Sequence, residues 1–551
     1  MRVLLLLIAC VSALLAQAPS ISPGGIVNHF SYALPGMPNA GIAQGSIFDV
    51  YGSNIGPATL TQASGFPLPT AISGTSVQVT VAGTAVDVFL FYVAQNQLVG
   101  LLPSRTPTGS GTIAITRNGV RTATQPILVV ARNLGILTLA QNGQGPAVLQ
   151  FADGSLNDRK RPIKPGGVGV FYGTGLGPVT FDESRAAILQ DVAPPLLAFV
   201  NDRAARILYQ GRTPGLAGLD QINLEVPAGV SGCDATVYFR YGNVISNLTT
   251  IAISDSPECV DPPPTDPPPA TPSSGILRVA GINLQRVYNT LGSPNIGSPT
   301  EILTDTAAAS FSDTDLNKIP PSTGQTSSLT QIGGCIVGPL VNTTPSASNP
   351  DAVTYLDAGP TISIRGPNGL KQLDKFPTGY AASLGGSGFP GQVPIPPPPY
   401  LVPGTYAVDN GAGTPAVPAF NASITFPTPE WKWNEKATTV INRAQGFEIT
   451  WTGGDSTGWV DIAGTSNLPV SASQPIASGG YFSCRGRASA GRLRVPAEVL
   501  LFLPPSVLRS GVPTGAITVS HTMTSVNINL PNYYQAFLNG IFSFSGAITF
   551  Q

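Results

Sequence analysis

Charge is scarce in this chain of 551 residues. Asp, Glu, Lys and Arg together make up 10%, and the formal net charge is -1. With no strongly basic or acidic field, nucleic acid and anionic membrane surfaces are excluded as partners. Histidine occurs twice, at His29 and His521, and no Cys-x-x-Cys spacing is present. A structural zinc site therefore has no donor set, and neither metal nor cofactor is expected. Beyond the N-terminus no run reaches the roughly 18 apolar residues that a membrane span needs, so no transmembrane segment is expected.

Glycine and proline are plentiful, at 62 and 54 residues. Together they form about a fifth of the chain, below the roughly 25–30% that marks low-complexity disorder. The chain is turn-rich but foldable, and its length divides into about three or four units. Arg2, the apolar run from Val3 to Leu15 broken only by Ser12, and the exit Ala16-Gln17-Ala18 read as a secretory signal over 1–18, with cleavage open between Ala16 and Ala18. Leu7-Ile8-Ala9-Cys10 spells a lipobox, but the stretch before it is short for a lipoprotein signal. The expected destination is the extracellular space, with periplasm or cell surface as alternatives. Loss of the signal leaves Cys233, Cys259, Cys335 and Cys484, an even count that favours disulfides in an exported chain. Of three connectivities, Cys233 with Cys259 and Cys335 with Cys484 is the expected one, because a proline-rich stretch separates the pairs. Each would contribute roughly 3–5 kcal/mol by loop entropy.

That stretch, Asp261 to Pro272 within a linker over 257–275, reads as an extended polyproline II spacer. Before it lies an internal repeat. Gly45 to Pro57 (GSIFDVYGSNIGP) returns 121 positions later as Gly166 to Pro178 (GGVGVFYGTGLGP), and Gln97 to Pro103 is echoed by Gln221 to Pro227. Two copies of one domain follow, over 24–132 and 133–256. Strands are expected at Ile47 to Tyr51, Ser76 to Val81, Val86 to Val93, Thr112 to Thr116 and Gln125 to Val130, with an Asn118-Gly119 hairpin turn. Short strands between turn signals, with no long 3.6-residue periodicity, describe an immunoglobulin-like sandwich. The fold class expected for the chain is all-β: tandem immunoglobulin-like β-sandwiches plus a C-terminal β-sandwich region.

Gly24-Gly25-Ile26-Val27-Asn28, the Tyr51-Gly52 to Pro57 and Tyr172-Gly173 to Pro178 motifs, Asp153 to Asn157, Asp220 to Asn223 and Val226 to Val230 carry a resemblance. Over about 24–256 the chain resembles an uncharacterised domain of secreted acidobacterial (Solibacter-type) proteins, itself similar to tandem IPT/TIG immunoglobulin-like folds. The resemblance implies export and a pair of sandwiches, and brings no catalytic residue. Region 276–551 more loosely resembles C-terminal regions of the same proteins, notably at Leu356 to Pro360, Gln445 to Asp455 and Ser489 to Gly491.

In 276–551, read as one domain or two subdomains near 276–430 and 431–551, strand signals continue. Gly446 to Trp451 and Trp459 to Ile462 flank a glycine-rich turn and are expected to form a hairpin. That turn, Gly454-Asp455-Ser456-Thr457-Gly458, matches the G-x-S-x-G nucleophile pattern. The pattern needs a helix after it, whereas a strand is expected, so turn chemistry is the better reading. Asp313-Thr314-Asp315-Leu316-Asn317 supplies the opening ligands of a calcium loop but has Lys318 and Gly324 where the geometry requires Gly and Glu. Arg159-Lys160-Arg161 with Lys164 reads as a solvated loop. All four tryptophans fall between Trp431 and Trp459, and strand alternation places Trp431 and Trp433 on one side. On an open face these two rings would stack on sugars, which makes them the candidate ligand face and polysaccharide, or a cell-surface protein, the candidate partner. Two functions compete. One is a secreted, non-catalytic, structural, adhesive or ligand-binding modular protein; the other is a secreted glycoside or ester hydrolase using Ser456 or carboxylates among Asp357, Glu430, Glu435, Glu448, Asp455 and Asp461.

Overall fold

A computed structural model describes residues 18–551 apart from 193–194, 202, 261–274, 292–299, 319–333, 342–351, 388–396, 437–438 and 472–475. The signal segment up to residue 17, the proline-rich spacer from 261 to 274 and Gly324 of the calcium-loop pattern lie outside the described residues. The regular secondary structure described is nearly all strand, and none of its helices is long and apolar enough to cross a membrane.

The first sandwich contains β1 (Ser20–Asn28), β2 (Ile42–Ala43), β3 (Ile47–Ser53), β4 (Thr75–Val81), β5 (Phe89–Val93), β6 (Gln97–Leu101), β7 (Gly109–Arg117) and β8 (Gln125–Val130). One sheet runs β1-β3-β6-β5 and the other β2-β8-β7-β4, with β2 parallel to β8. This is the immunoglobulin strand order, one sheet of A, B, E and D against one of G, F and C. Alternation builds the core: Phe48, Val50, Leu98 and Leu90 from one sheet meet Val77, Val79, Ile113 and Ile115 from the other. The run Val86 to Val93, expected as one strand, is two. Thr84–Asp87 pairs with β4 and β5 pairs with β6, because the chain crosses between sheets at buried Val88. Asn118 and Gly119 both take positive φ (48° and 83°), the geometry that a two-residue hairpin turn requires.

The second sandwich repeats this order with β9 (Gly135–Ile136), β10 (Val168–Thr174), β11 (Leu197–Val200), β12 (Arg203–Arg212), β13 (Asp220–Glu225), β14 (Gly232–Tyr241) and β15 (Thr249–Ile253). Its two layers are joined through β12, whose start at Arg203 to Ala205 pairs with β11 and whose remainder from Arg206 pairs with β13, with a register shift between Ile207 and Tyr209. Phe171 and Phe239 meet edge to face at 5.6 Å in the core between the layers. Cys233 is the second residue of β14 and is bonded to Cys259 beyond β15.

The C-terminal region comprises β16 (Ile276–Leu291), β17 (Thr300–Asp315), β18 (Cys335–Val341), β19 (Ile362–Gly366), β20 (Gly369–Phe376), β21 (Gly379–Gly386), β22 (Gly404–Asp409), β23 (Asn421–Phe426), β24 (Lys432–Trp433), β25 (Phe447–Thr452), β26 (Trp459–Leu468), β27 (Ser478–Arg487), β28 (Arg492–Val495), α1 (Ala497–Leu501), β29 (Gly515–Thr522) and β30 (Gln535–Phe550). A single sheet follows the order β18-β27-β26-β29-β30-β16-β17-β21-β20-β19-β22-β23. The last strand, β30, lies parallel to the first of the region, β16. The sheet curls until Phe426 on β23 touches Phe542 on β30, at 5.5 Å between rings. One hydrophobic cluster spans Ala280 to Phe550, so both halves of the region share one core. The small sheet β24-β25-β28 packs against the same cluster through Trp433 and Ile449. Cys335 is bonded to Cys484, its register partner on β27. The expected hairpin across 453–458 does not form: β25 pairs with β24 and β28, and β26 with β27 and β29, because the glycine-rich segment crosses between layers.

The parts meet through buried polar contacts. Arg212 on β12 donates to Gly45 O (2.9 Å) in the first sandwich and Gly177 O (2.7 Å) in the second while pairing with Asp220. Ile47 N donates to Thr174 Oγ1 at 2.9 Å, and Ser104 N to Glu183 Oε1 at 2.7 Å. Leu501 of α1 packs on Tyr238 and Ile245 of the second sandwich, and Ser478 Oγ donates to Pro35 O at 2.7 Å.

Candidate functional site

Trp431 and Trp433 do share one side, as alternation requires, but that side is the core. Trp431 is fully buried, with its ring 5.7 Å from His521 and 5.6 Å from Phe544. Trp433 is 5% exposed, meets Phe544 edge-on and donates Nε1–H to Glu435. The reading of these rings as a ligand face is therefore corrected: the small sheet lies over the large one, and two indoles provide the apolar area that joins the layers. Trp451 is buried as well, and Trp459 lies beneath the Arg485 guanidinium.

Ser456 sits in a turn followed directly by β26, so no nucleophile elbow is built. The structure does bring His521 to this loop, with another purpose. Its Nε2 accepts Asp455 N–H at 3.0 Å, which makes Nδ1 the donor to Trp459 O at 3.1 Å. Both ring nitrogens are thereby used, and burial holds the imidazole pKa below its usual value and the ring neutral. Burial pushes the Asp455 carboxyl up, yet bonds from Thr457 and Thr524 outweigh it and hold the pKa down to about 2. Gly454 takes φ +80°, and a Cβ there would come within 2.9 Å of Trp431 Cδ1, so packing accounts for the first glycine of the pattern.

Of the carboxylates of the rival reading, Glu448 is exposed on β25, and the others are engaged. Glu430 binds Arg286 and Tyr288, Glu435 binds Thr450 and Trp433, Asp461 binds Arg485, and Asp357 binds Lys375. Asp313 of the calcium-loop pattern takes the Arg278 guanidinium at 2.6 and 2.7 Å. Arg159 and Arg161 pair with Asp234 and Asp153 on the surface, as a solvated loop does.

A different constellation lies on the outer face of the first sandwich. Alternation along β3 turns Phe48 and Val50 inward and Ile47, Asp49 and Tyr51 outward, where cross-strand register sets Asp49 beside Val99 and Tyr51 beside Gln97. A bulge in β5 between Leu90 and Tyr92 leaves both Phe91 and Tyr92 on this face, with Tyr92 opposite Val99. His29 arrives from the end of β1, where Asn28 Oδ1 accepts the N–H groups of Phe30 and Ser31 and turns the chain. Tyr32 follows at φ 51°, a left-handed conformation strained for an aromatic residue. The Ile47 end of the face is covered by Ala217 of the second sandwich, while Tyr51, Tyr92, Phe91, Gln97, His29 and Tyr32 stay half-buried.

Asp49 is the centre of this group. It is fully buried and accepts His29 Nδ1 at 2.7 Å on one oxygen and Gln97 Nε2 at 2.8 Å on the other. Burial, reinforced by the Asp49 charge, pushes the Tyr32 and Tyr92 phenols up to about 12 and that of Tyr51 further still, so all three remain protonated. The charge of Asp49 thus reaches all three hydroxyls. What results is a set of aromatic rings on a sheet face with an imidazole, an amide and phenols among them. It offers stacking surface and hydrogen-bonding tips, and no nucleophile placed against a base.

Sequence reasoning passed over this group, although a signal existed. Asp49 is a charged residue inside a strand flanked by apolar neighbours, and the second copy has Val170 at the matching position. The repeated tyrosine is kept as Tyr172, which bonds Gln150.

No family model and no curated protein matches the sequence. Among solved structures, domains 5–6 of the S-layer protein SbsC are 12% identical, covering 43% of this chain and 99% of that one at a TM-score of 0.15. The I9–I11 tandem of titin is 9% identical, covering 69% and 92% at 0.12. A Bacteroides ovatus SGBP-B from a mixed-linkage glucan utilization locus, in complex with a heptasaccharide, is 8% identical, covering 72% and 74% at 0.13. The architecture stands on its own topology: the chain is an all-β protein carrying two immunoglobulin-like sandwiches in tandem.

Proposed function

We propose that this is an exported, non-catalytic modular protein that binds polysaccharide through the outer face of its first sandwich, residues 24–132, with 133–256 and 276–551 as supporting modules. The two disulfides fit an oxidising compartment outside the cytosol. The observation that carries the reading is the half-buried row of Tyr32, Tyr51, Phe91 and Tyr92 around His29 and Gln97. Flat rings complement the apolar faces of sugars at low entropic cost, and the polar tips among them can meet ring hydroxyls. Titration of the full chain with a panel of soluble oligosaccharides tests it. Tyr51→Ala and Tyr92→Ala should each weaken binding about tenfold, the loss of roughly one ring contact, while leaving the melting curve close to wild type. Undiminished binding in both variants would refute this placement of the site.

A further inference from the structure

The chemistry of the polysaccharide can be read from how hydrogens are distributed around Asp49. An ionised carboxylate only accepts, so its neighbours must turn their N–H groups inward. His29 Nδ1 lies 2.7 Å from Asp49 Oδ2, which leaves Nε2 as the ring's other polar atom. Gln97 spends Nε2–H on Asp49, with a second contact from Nε2 to Tyr51 OH at 3.4 Å, and keeps its carbonyl oxygen as an acceptor. The phenol oxygens add further lone pairs to this face, and that of Tyr51 already accepts from Gln97 Nε2. The face is therefore rich in acceptors and π-surface, sits above one negative charge, and has no lysine or arginine among its residues. Acceptors, aromatic faces and negative potential together select a cationic donor.

We infer that the polysaccharide bound here carries protonated amines, as in a polymer of 2-amino sugars whose nitrogens are not acetylated. This rests on the glycan reading above and specifies its ligand. The ammonium would sit over the tyrosine rings and donate to the outward acceptors, while Asp49, buried beneath, acts as a positioning residue and as the source of the field.

Calorimetric titration of the full chain with the hexamers of glucosamine, N-acetylglucosamine and glucose (cellohexaose) decides the matter. The glucosamine hexamer should bind at least about tenfold more tightly than the other two, and this advantage should shrink as salt rises from about 0.05 to about 0.5 M, concentrations chosen to span weak to strong screening, about 14 to 4 Å. Asp49→Asn keeps an acceptor for Gln97 and removes the charge, and should equalise the three ligands. If that variant does not fold, the wild-type ranking and its salt dependence alone decide. Equal affinity of the wild type for all three hexamers overturns the amine inference and leaves the glycan reading standing. Binding of none of them overturns both. A preference that persists unchanged in a folded Asp49→Asn removes Asp49 as its source.

Discussion

Replacing Trp431 by Ala should destabilise the C-terminal region by about 3–5 kcal/mol, the cost of removing a large buried ring and leaving a cavity, without changing glycan affinity. Trp431 is sandwiched between His521 on β29 and Phe544 on β30, and Gly454 lies against its edge. Deleting the indole opens a void under the small sheet and removes the surface on which the 453–458 segment rests. Its Nε1–H is buried with no hydrogen-bond partner among the described residues, so Trp431→Phe, which deletes that group and keeps a ring, should cost distinctly less than Trp431→Ala. Denaturant unfolding of the full chain gives the stabilities, and titration of the same samples gives the affinities. A folded Trp431→Ala variant of near-wild-type stability that had lost glycan binding would restore the tryptophans as the ligand face.

The second large effect is expected at the junction of the two sandwiches. Arg212→Met should cost about 3–5 kcal/mol, because it leaves Asp220 as an uncompensated buried charge. Asp220 is fully buried, burial already raises its carboxyl pKa, and the backbone bonds it keeps from Leu176 N, at 2.7 Å, and Gly175 N do not neutralise it. The same substitution orphans Gly45 O and Gly177 O, one in each sandwich, so the variant's two units should unfold in separate steps and the wild type's in one. The double variant Arg212→Met with Asp220→Asn, which removes both charges and keeps an acceptor for Leu176 N, should recover most of the loss. Unfolding by circular dichroism distinguishes these outcomes, and a loss below about 1 kcal/mol, the worth of a surface pair, would show that Arg212 is not the clamp described.

Much of the fold was legible because it is local. Alternation at Ile47 to Tyr51, the Asn118-Gly119 turn and the 121-residue repeat specify strands, turns and their duplication without long-range information. The pairing that closes each sandwich is not local. Val86 to Val93 reads as one strand because nothing in those eight residues reveals that Val88 is where the chain leaves one sheet for the other. The segment 453–458 reads as a hairpin for the same reason, since turn residues look alike whether the flanking strands pair with each other or with other strands of the region. Periodicity placed Trp431 and Trp433 on a common side but could not say that a second layer covers it. The His29–Asp49 group was hidden by distance along the chain: its members come from β1, β3, β5 and β6 and meet only through the register Asn28 to Phe48 and Tyr51 to Gln97.

Amide hydrogen exchange on the full chain with and without the glucosamine hexamer locates the bound sugar directly. Slowed exchange confined to segments around His29 to Tyr32, Asp49 to Tyr51 and Phe91 to Gln97 is the predicted footprint. Protection falling instead on 431–462, with the first sandwich unchanged, would contradict it.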